Sequence, residues 1–156
     1  MITIDFNKLD IKPDARILDI GCGEGRHTIK ACQQKGTICI GADFVFKNLI
    51  ETKKKLIFHQ AVSDLSCKSF DLSCMDITKL PFKNSSFDSI ICSEVLEHIL
   101  DDARAISELV RILKPKKILA VSVPRFWPEK ICWLLSDEYF NANMGQIGRA
   151  SCRERV

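Results

Sequence analysis

No apolar run in this 156-residue chain approaches the roughly 18 residues that a bilayer-spanning helix needs, and Met1 is not followed by a signal-type apolar stretch. The expectation is a soluble, cytoplasmic protein without a transmembrane segment. Blocks of like charge are also missing: 23 basic against 20 acidic residues leave a net charge of +3, and the densest basic cluster, Lys53-Lys54-Lys55, reads as a solvated helix face. No nucleic-acid footprint is indicated. The eight cysteines include no C-x-x-C pair and do not cluster with His27, His59 or His98, so no metal site is expected. Most sit in apolar runs such as Ile38-Cys39-Ile40 and read as small buried hydrophobes of a reducing compartment. Repeats and low-complexity stretches are absent. With 46% hydrophobic and 28% charged residues, what remains is one ordinary globular domain.

Four short apolar runs are present: Ile17 to Ile20, Thr37 to Ala42, Ser89 to Cys92 and Ile118 to Val123. Each is too short for a buried helix and rich in Ile or Val, so each predicts a buried strand. Phe70 to Met75 is a weaker strand candidate. Between them, Asp101 to Leu113 carries Ile106, Leu109, Val110 and Leu113 at helical spacing behind the acidic pair Asp101 and Asp102, which suits a helix N-terminus. Phe46 to about Val62 predicts a second helix, with Leu49, Ile50, Leu56 and Ile57 as its apolar positions. Strands alternating with helices predict an open, doubly wound α/β domain on a parallel sheet.

The most informative stretch is Ile17-Leu18-Asp19-Ile20-Gly21-Cys22-Gly23-Glu24-Gly25-Arg26-His27. A strand running into alternating glycines and then a helix is how α/β folds bring backbone amides up to a ligand. Asp43 ends the second strand 20 positions after Gly23, the spacing expected of an acidic residue that grips ribose hydroxyls. A dinucleotide fingerprint is G-x-G-x-x-G, whereas this chain has G-x-G-x-G and places Arg26 where the last glycine would sit. Asp19, just before the loop, repels a pyrophosphate but suits a cationic amino group. These two departures favour S-adenosylmethionine, which has an ammonium and a sulfonium but no phosphate.

From about Ala15 to Pro124 the sequence resembles the class I S-adenosylmethionine-dependent methyltransferases, in the type 11 branch that includes ubiquinone/menaquinone C-methyltransferase-like domains. The resemblance rests on ordered motifs: Leu18-Asp19-Ile20-Gly21-Cys22-Gly23-Glu24-Gly25, then Asp43, Asp76-Ile77, Leu80-Pro81-Phe82, Phe87-Asp88, Ser93-Glu94-Val95-Leu96-Glu97-His98 and Leu113-Lys114-Pro115. It implies a Rossmann-like, mostly parallel sheet and S-adenosylmethionine as methyl donor. It also implies roles: Asp19 toward the methionine amino group, Gly21, Cys22 and Gly23 as backbone contacts beside Gly25, and Asp43 on the ribose hydroxyls. Phe44 would lie against adenine, Asp76 would accept the adenine amino group and the Ile77 N–H would donate to a ring nitrogen. Ser93 and Glu94 would border the sulfonium.

Each position also has a plainer role: a ligand-free turn for the glycines, a helix cap for Asp19, turns for Asp43 and Asp76, packing for Phe44. His98 is the candidate catalytic base, needed only if the acceptor must lose a proton, and it equally suits a turn fastening the loop to the sheet. His27 reads as structural and His59 as exposed. No Asn-Pro-Pro-Tyr-like tetrad follows the fourth strand and no proline precedes a cysteine, so the expected acceptor is a small or lipid-like molecule rather than a nucleic-acid base. Phe126, Trp127, Trp133, Tyr139 and Phe140 could line an apolar acceptor pocket or pack on the sheet. The alternatives are a non-catalytic S-adenosylmethionine-binding module and an NAD-type Rossmann oxidoreductase.

Two departures from the family pattern stand out. Lys114-Pro115-Lys116-Lys117 replaces the usual Lys-Pro-Gly-Gly turn, and the family continues beyond the fifth strand with a helix and a final antiparallel pair, so the domain reads as C-terminally truncated. The eleven residues 146–156, Gln146 to Val156, have no apolar periodicity and resemble the translation of a common sequencing adapter. The expected division is therefore a methyltransferase domain over 1–145 and a non-native tail over 146–156. Without that tail the balance becomes 20 basic against 19 acidic residues, with seven cysteines.

Overall fold

The apolar runs pair as the alternation of strands and helices requires. In the structure, a computed structural model that describes residues 2–123, five strands form one parallel sheet: β1 (Arg16–Ile20), β2 (Ile38–Asp43), β3 (Ser69–Cys74), β4 (Phe87–Ser93) and β5 (Leu113–Ser122). Their spatial order is β3-β2-β1-β4-β5. Three helices intervene: α1 (Arg26–Cys32) between β1 and β2, α2 (Phe46–Ala61) between β2 and β3, and α3 (Asp102–Ile112) before β5. This is the doubly wound, Rossmann-like architecture expected from the sequence. The strand order reverses between β1 and β4, and their carboxyl ends frame the crevice where such sheets bind ligands.

Side chains alternate across the sheet and build a core on each face. Leu18, Ile20, Ile90 and Cys92 pack with Ile106, Leu109 and Ile112 of α3, whereas Ile17, Cys39 and Ile91 pack with Ala31 and Cys32 of α1 and Leu56 of α2. Helix α3 starts where the sequence placed it, with the Asp101 carboxylate accepting the Arg104 N–H at 3.0 Å as N-cap.

Three expectations need correction. On α2, Leu49 and Leu56 are buried but Ile50 and Ile57 are exposed, because one residue along a helix is about 100° of rotation and only the first of each pair faces the sheet. Among the cysteines, Cys22, Cys32, Cys39 and Cys92 are buried, but Cys74 is exposed, with its thiol toward the Phe44 carbonyl. His59 is half-buried rather than free in solvent, its Nδ1 2.6 Å from the Asp64 carboxylate. Cys132, Cys152, the aromatic stretch after β5 and the expected boundary at residue 145 lie outside the described residues.

Strand β5 begins five residues before the run that predicted it. Leu113 pairs with Phe87, and pairing then shifts so that Ile118 faces Ser89. The intervening Lys114-Pro115-Lys116-Lys117 is an excursion on the ladder, and Lys116 takes a left-handed conformation at φ +60 where the family carries glycine. Lys114 and Lys117 reach Asp88 at 2.8 and 3.7 Å and hold the excursion down. Burial opposes ionisation of Asp88, yet the hydrogen bonds from Lys114 and the Arg16 N–H outweigh it and keep the carboxyl below its usual range. Exposed Lys116 carries the strain alone, so Lys116→Gly is expected to raise stability by about 0.5 to 1 kcal/mol in urea unfolding, and Lys116→Val to lower it.

Candidate functional site

The loop after β1 is a chain of left-handed turns. Gly21, Gly23 and Gly25 have φ of +68, +54 and +83, a region that L side chains enter at about 1 to 2 kcal/mol each. Their surroundings differ. A Cβ on Gly21 would sit 2.2 Å from Val95, and one on Gly25 2.6 Å from Thr52, whereas one on Gly23 would meet nothing within 4 Å. Gly21 and Gly25 are small so that the loop can pack, while Gly23 has open space beside it.

The loop is locked from within the protein. The Cys22 N–H donates to the Ala42 carbonyl at 2.9 Å, the Gly25 N–H to the Cys22 carbonyl at 2.9 Å, and the Gly23 N–H to Asp43 Oδ2 at 2.8 Å. Thr52 on α2 donates to the Gly23 carbonyl at 2.8 Å. Asp43, at the end of β2, is 7% exposed and also accepts from the Val45 N–H at 2.8 Å and the Asn48 amide at 3.2 Å. A carboxylate offers about four acceptor positions, so three are filled. The sequence reading missed Thr52 and Asn48; the signal was present in Thr52, the polar residue between Leu49 and Leu56 on the buried side of α2.

Asp19 lies beneath this loop, 2% exposed, with Oδ2 accepting the Thr28 hydroxyl at 2.6 Å. Burial pushes its carboxyl up to about 7, against the lowering effects of Thr28 and the Arg26 charge. Asp19 thus fastens α1 through Thr28 and is a buried acid poised near neutrality. Burial also pushes the neighbouring Cys22 thiol up to about 12, with Asp19 and Asp43 adding to the shift, so this thiol stays protonated.

The ends of β4 and β5 close the other side of the crevice. The Ser93 hydroxyl lies 2.7 Å from those of Thr3 and Ser122, and the Thr3 N–H donates to His27 Nε2 at 3.3 Å. His27 is 3% exposed, and burial, then the Arg26 charge, pushes it down to about 4. It is thus a neutral acceptor that ties the N-terminal segment to α1, in keeping with a structural role. Glu94 has φ +56, and its carboxylate accepts from Arg26 at 3.1 Å, so this pair spans from α1 to the end of β4. Asp76, past β3, accepts the N–H and hydroxyl of Thr78 at 2.8 Å each, which lowers its pKa. Ile77 beside it is buried, while Phe44 is 74% exposed next to Asp43.

His98 closes a 3-10 turn, Leu96–His98, in which its N–H donates to the Val95 carbonyl; its side chain is exposed. The same turn carries Glu97, whose Oε2 is buried with no hydrogen-bond partner among the described residues. Neither these residues nor any other described ones form a group that could hold a metal ion.

This arrangement has known counterparts. The family model described as a methyltransferase domain matches residues 18–121, from β1 through β5. The chain belongs to the class I S-adenosylmethionine-dependent methyltransferase family. It is 30% identical over 117 residues to the methyltransferase GfsG of Streptomyces halstedii, covering 75% of this chain and 40% of that protein. It is 31% identical over 141 residues to a ubiquinone biosynthesis O-methyltransferase of Bartonella bacilliformis, covering 88% of this chain and 54% of that one. The chain thus spans about half the length of these curated relatives or less. Its fold matches a SAM-dependent methyltransferase of Methanosarcina mazei with a TM-score of 0.59 at 24% identity, over 71% of this chain and 53% of that one.

The contrast between packed Gly21 and open Gly23 can be tested by substitution. Gly21→Ala is expected to lower stability by about 2 to 4 kcal/mol through the Val95 clash. Gly23→Ala should cost only about 1 kcal/mol, and a more than tenfold weakening of S-adenosylhomocysteine binding is the outcome expected if the open side of Gly23 borders the ligand. Unfolding curves and calorimetry measure the two effects separately. Wild-type affinity in Gly23→Ala would remove this face of the loop from the site.

Proposed function

We propose that this chain carries the donor site of an enzyme that transfers a methyl group to a small or lipid-like acceptor. The observation that carries the reading is the internal use of the loop's amides. A pyrophosphate site needs N–H groups aimed at the ligand, but those of Cys22, Gly23 and Gly25 all donate within the protein. A phosphate-free donor with an ammonium group asks instead for a carboxylate, the part this reading gives to Asp19. An NAD-type reading loses support for the same reason.

In this proposal Asp19 faces the methionine amino group, and Gly21, Cys22 and Gly23 line its path, with Gly25 allowing the turn into α1. Asp43 keeps one acceptor position for a ribose hydroxyl, and the Asn48 contact, the longest of its three at 3.2 Å, is the one that yields to a second. Exposed Phe44 covers the adenine, Asp76 accepts its amino group through the oxygen that Thr78 does not use, and the Ile77 N–H donates to a ring nitrogen. Ser93 and Glu94 border the methyl group.

S-adenosylmethionine supplies, when bound, a methyl group already activated by sulfonium. The protein's task is then to align the acceptor and exclude water, and His98 takes a proton only from acceptors that must lose one. The relative named for ubiquinone biosynthesis supports an acceptor of lipid-like character. The test is calorimetry with S-adenosylhomocysteine and with NAD, followed by radiolabelled methyl transfer into a cell extract. Binding of NAD alone would overturn the proposal, and binding without transfer would reduce the chain to a binding module.

The Asp19 role has its own pH signature. Because burial raises its pKa from 3.8 to about 7, the folded protein holds this proton more tightly than the unfolded chain does. The stability it contributes is full below about pH 4 and is lost as pH rises through 7. Asp19→Asn should therefore stabilise the ligand-free protein by about 2 to 4 kcal/mol at pH 8, with the gain vanishing toward pH 4. The same variant should lose cofactor affinity, and wild-type affinity should fall by up to about tenfold per pH unit below 7 as protons displace the ammonium. An affinity that is flat across this range would remove Asp19 from the site.

A further inference from the structure

Among the described residues, seven of the nine exposed large apolar side chains lie on α2 or its immediate flanks, from Phe44 to Val62. The helix is thus apolar twice over. Leu49 and Leu56 bury against the sheet, and Phe46, Ile50 and Ile57, at 65%, 41% and 53% exposure, form a second stripe toward solvent. At about 100° per residue these three fall within about 40° of arc, roughly a quarter turn from the buried pair, and they run about 16 Å along the axis. A helix with two apolar faces is built for two contacts, and the described residues make only one.

The charges around the stripe indicate what the second contact is. Exposed Lys53 borders it on one side and exposed Lys47 and Lys54 on the other, while Glu51 is the only acidic residue of the helix. Lys54 reaches Glu51 at 2.8 Å and Lys55 turns away to Glu24 at 2.6 Å, so the rim remains basic. A second copy of this chain docking on the stripe would bring lysine against lysine. An anionic lipid surface meets both features at once. Apolar side chains enter the acyl boundary, and the lysine stems lie along the flank with their ammonium groups among phosphates. The outer face of a helix is convex, which a deformable surface accommodates without a preformed groove.

We propose that the outer face of α2, through Phe46, Ile50 and Ile57 with Lys47 and Lys53 on its rim, is a docking surface for anionic lipid membranes. The surface adjoins the donor site at Phe46 and Lys47, but its far part, Lys53 to Ile57, lies outside the residues given to that site, and the proposal stands whatever the acceptor is. Reversible binding of this kind holds the protein against the bilayer with α2 in its plane.

Cosedimentation of the full chain with vesicles tests it. Vesicles of equal parts phosphatidylglycerol and phosphatidylcholine should bind the protein about tenfold more tightly than pure phosphatidylcholine, with the difference abolished near 0.5 M salt. Ile57→Glu and, separately, Lys53→Glu should each weaken binding to anionic vesicles severalfold to tenfold while leaving S-adenosylhomocysteine affinity unchanged. Both positions are exposed, and that unchanged affinity verifies that each variant is folded. Equal binding to both vesicle types, no binding, or indifference to both substitutions would overturn the proposal. So would sedimentation velocity showing a wild-type dimer that Ile57→Glu converts to monomer, since a second copy would then cover the stripe.

Discussion

The carboxylate of Asp43 is the clasp on which the crevice depends. It reaches from the end of β2 to the Gly23 N–H in the loop after β1, and it takes the Val45 N–H and the Asn48 amide at the start of α2. One nearly buried side chain thereby fixes the glycine loop, the end of β2 and the entry of α2 relative to one another. Charge-assisted hydrogen bonds of this kind are about twice as strong as neutral ones. The parallel register makes this possible, because Asp19 pairs with Gly41 and Ile20 with Ala42, so both strands end at the same level. The same amides that hold the loop together are committed within the protein, which is the basis for proposing a donor without phosphate.

The site is assembled at a cost in stability. Asp19 is a buried acid whose charged form is disfavoured, His27 is a buried imidazole held neutral, and the backbone enters the left-handed region at the glycines and at Glu94. These features lie together around the carboxyl ends of β1 and β4. They are offset by the two apolar layers around Leu18, Ile90 and Leu109 on one face and Ile17, Ile91 and Leu56 on the other. The Arg26 to Glu94 ion pair is too exposed to repay much, since pairs of that kind contribute about 1 kcal/mol or less. Its effect is geometric, linking the loop side of the crevice to the β4 side.

Much of this was legible in the sequence because the relevant forces are local. Buried parallel strands read as continuous apolar runs, and glycines at +68, +54 and +83 stand where no other residue turns without strain. Asp43 announced itself by its distance from Gly23 along the chain. What the sequence could not show was set by tertiary contacts. Thr28, Thr52 and Asn48 are ordinary helix residues until folding brings them to Asp19, Gly23 and Asp43. Ile50 and Ile57 pass as core residues on hydrophobicity alone, and only the rotation of α2 set by Leu49 and Leu56 turns them outward. The β5 excursion was hidden because Lys114 and Lys117 are held by Asp88, which is distant in sequence.

The central claim is that the crevice between β1, β2 and β4 is the donor site and that its loop is already folded to receive a phosphate-free adenosyl ligand. Amide NMR of isotope-labelled protein titrated with S-adenosylhomocysteine tests this most directly. Saturable shifts are expected, confined to residues 19–28, 43–48, 76–78 and 93–95, with the Gly23 amide protected from exchange before ligand is added because it is bonded to Asp43. Shifts centred elsewhere, or a Gly23 amide that exchanges freely until ligand binds, would contradict it.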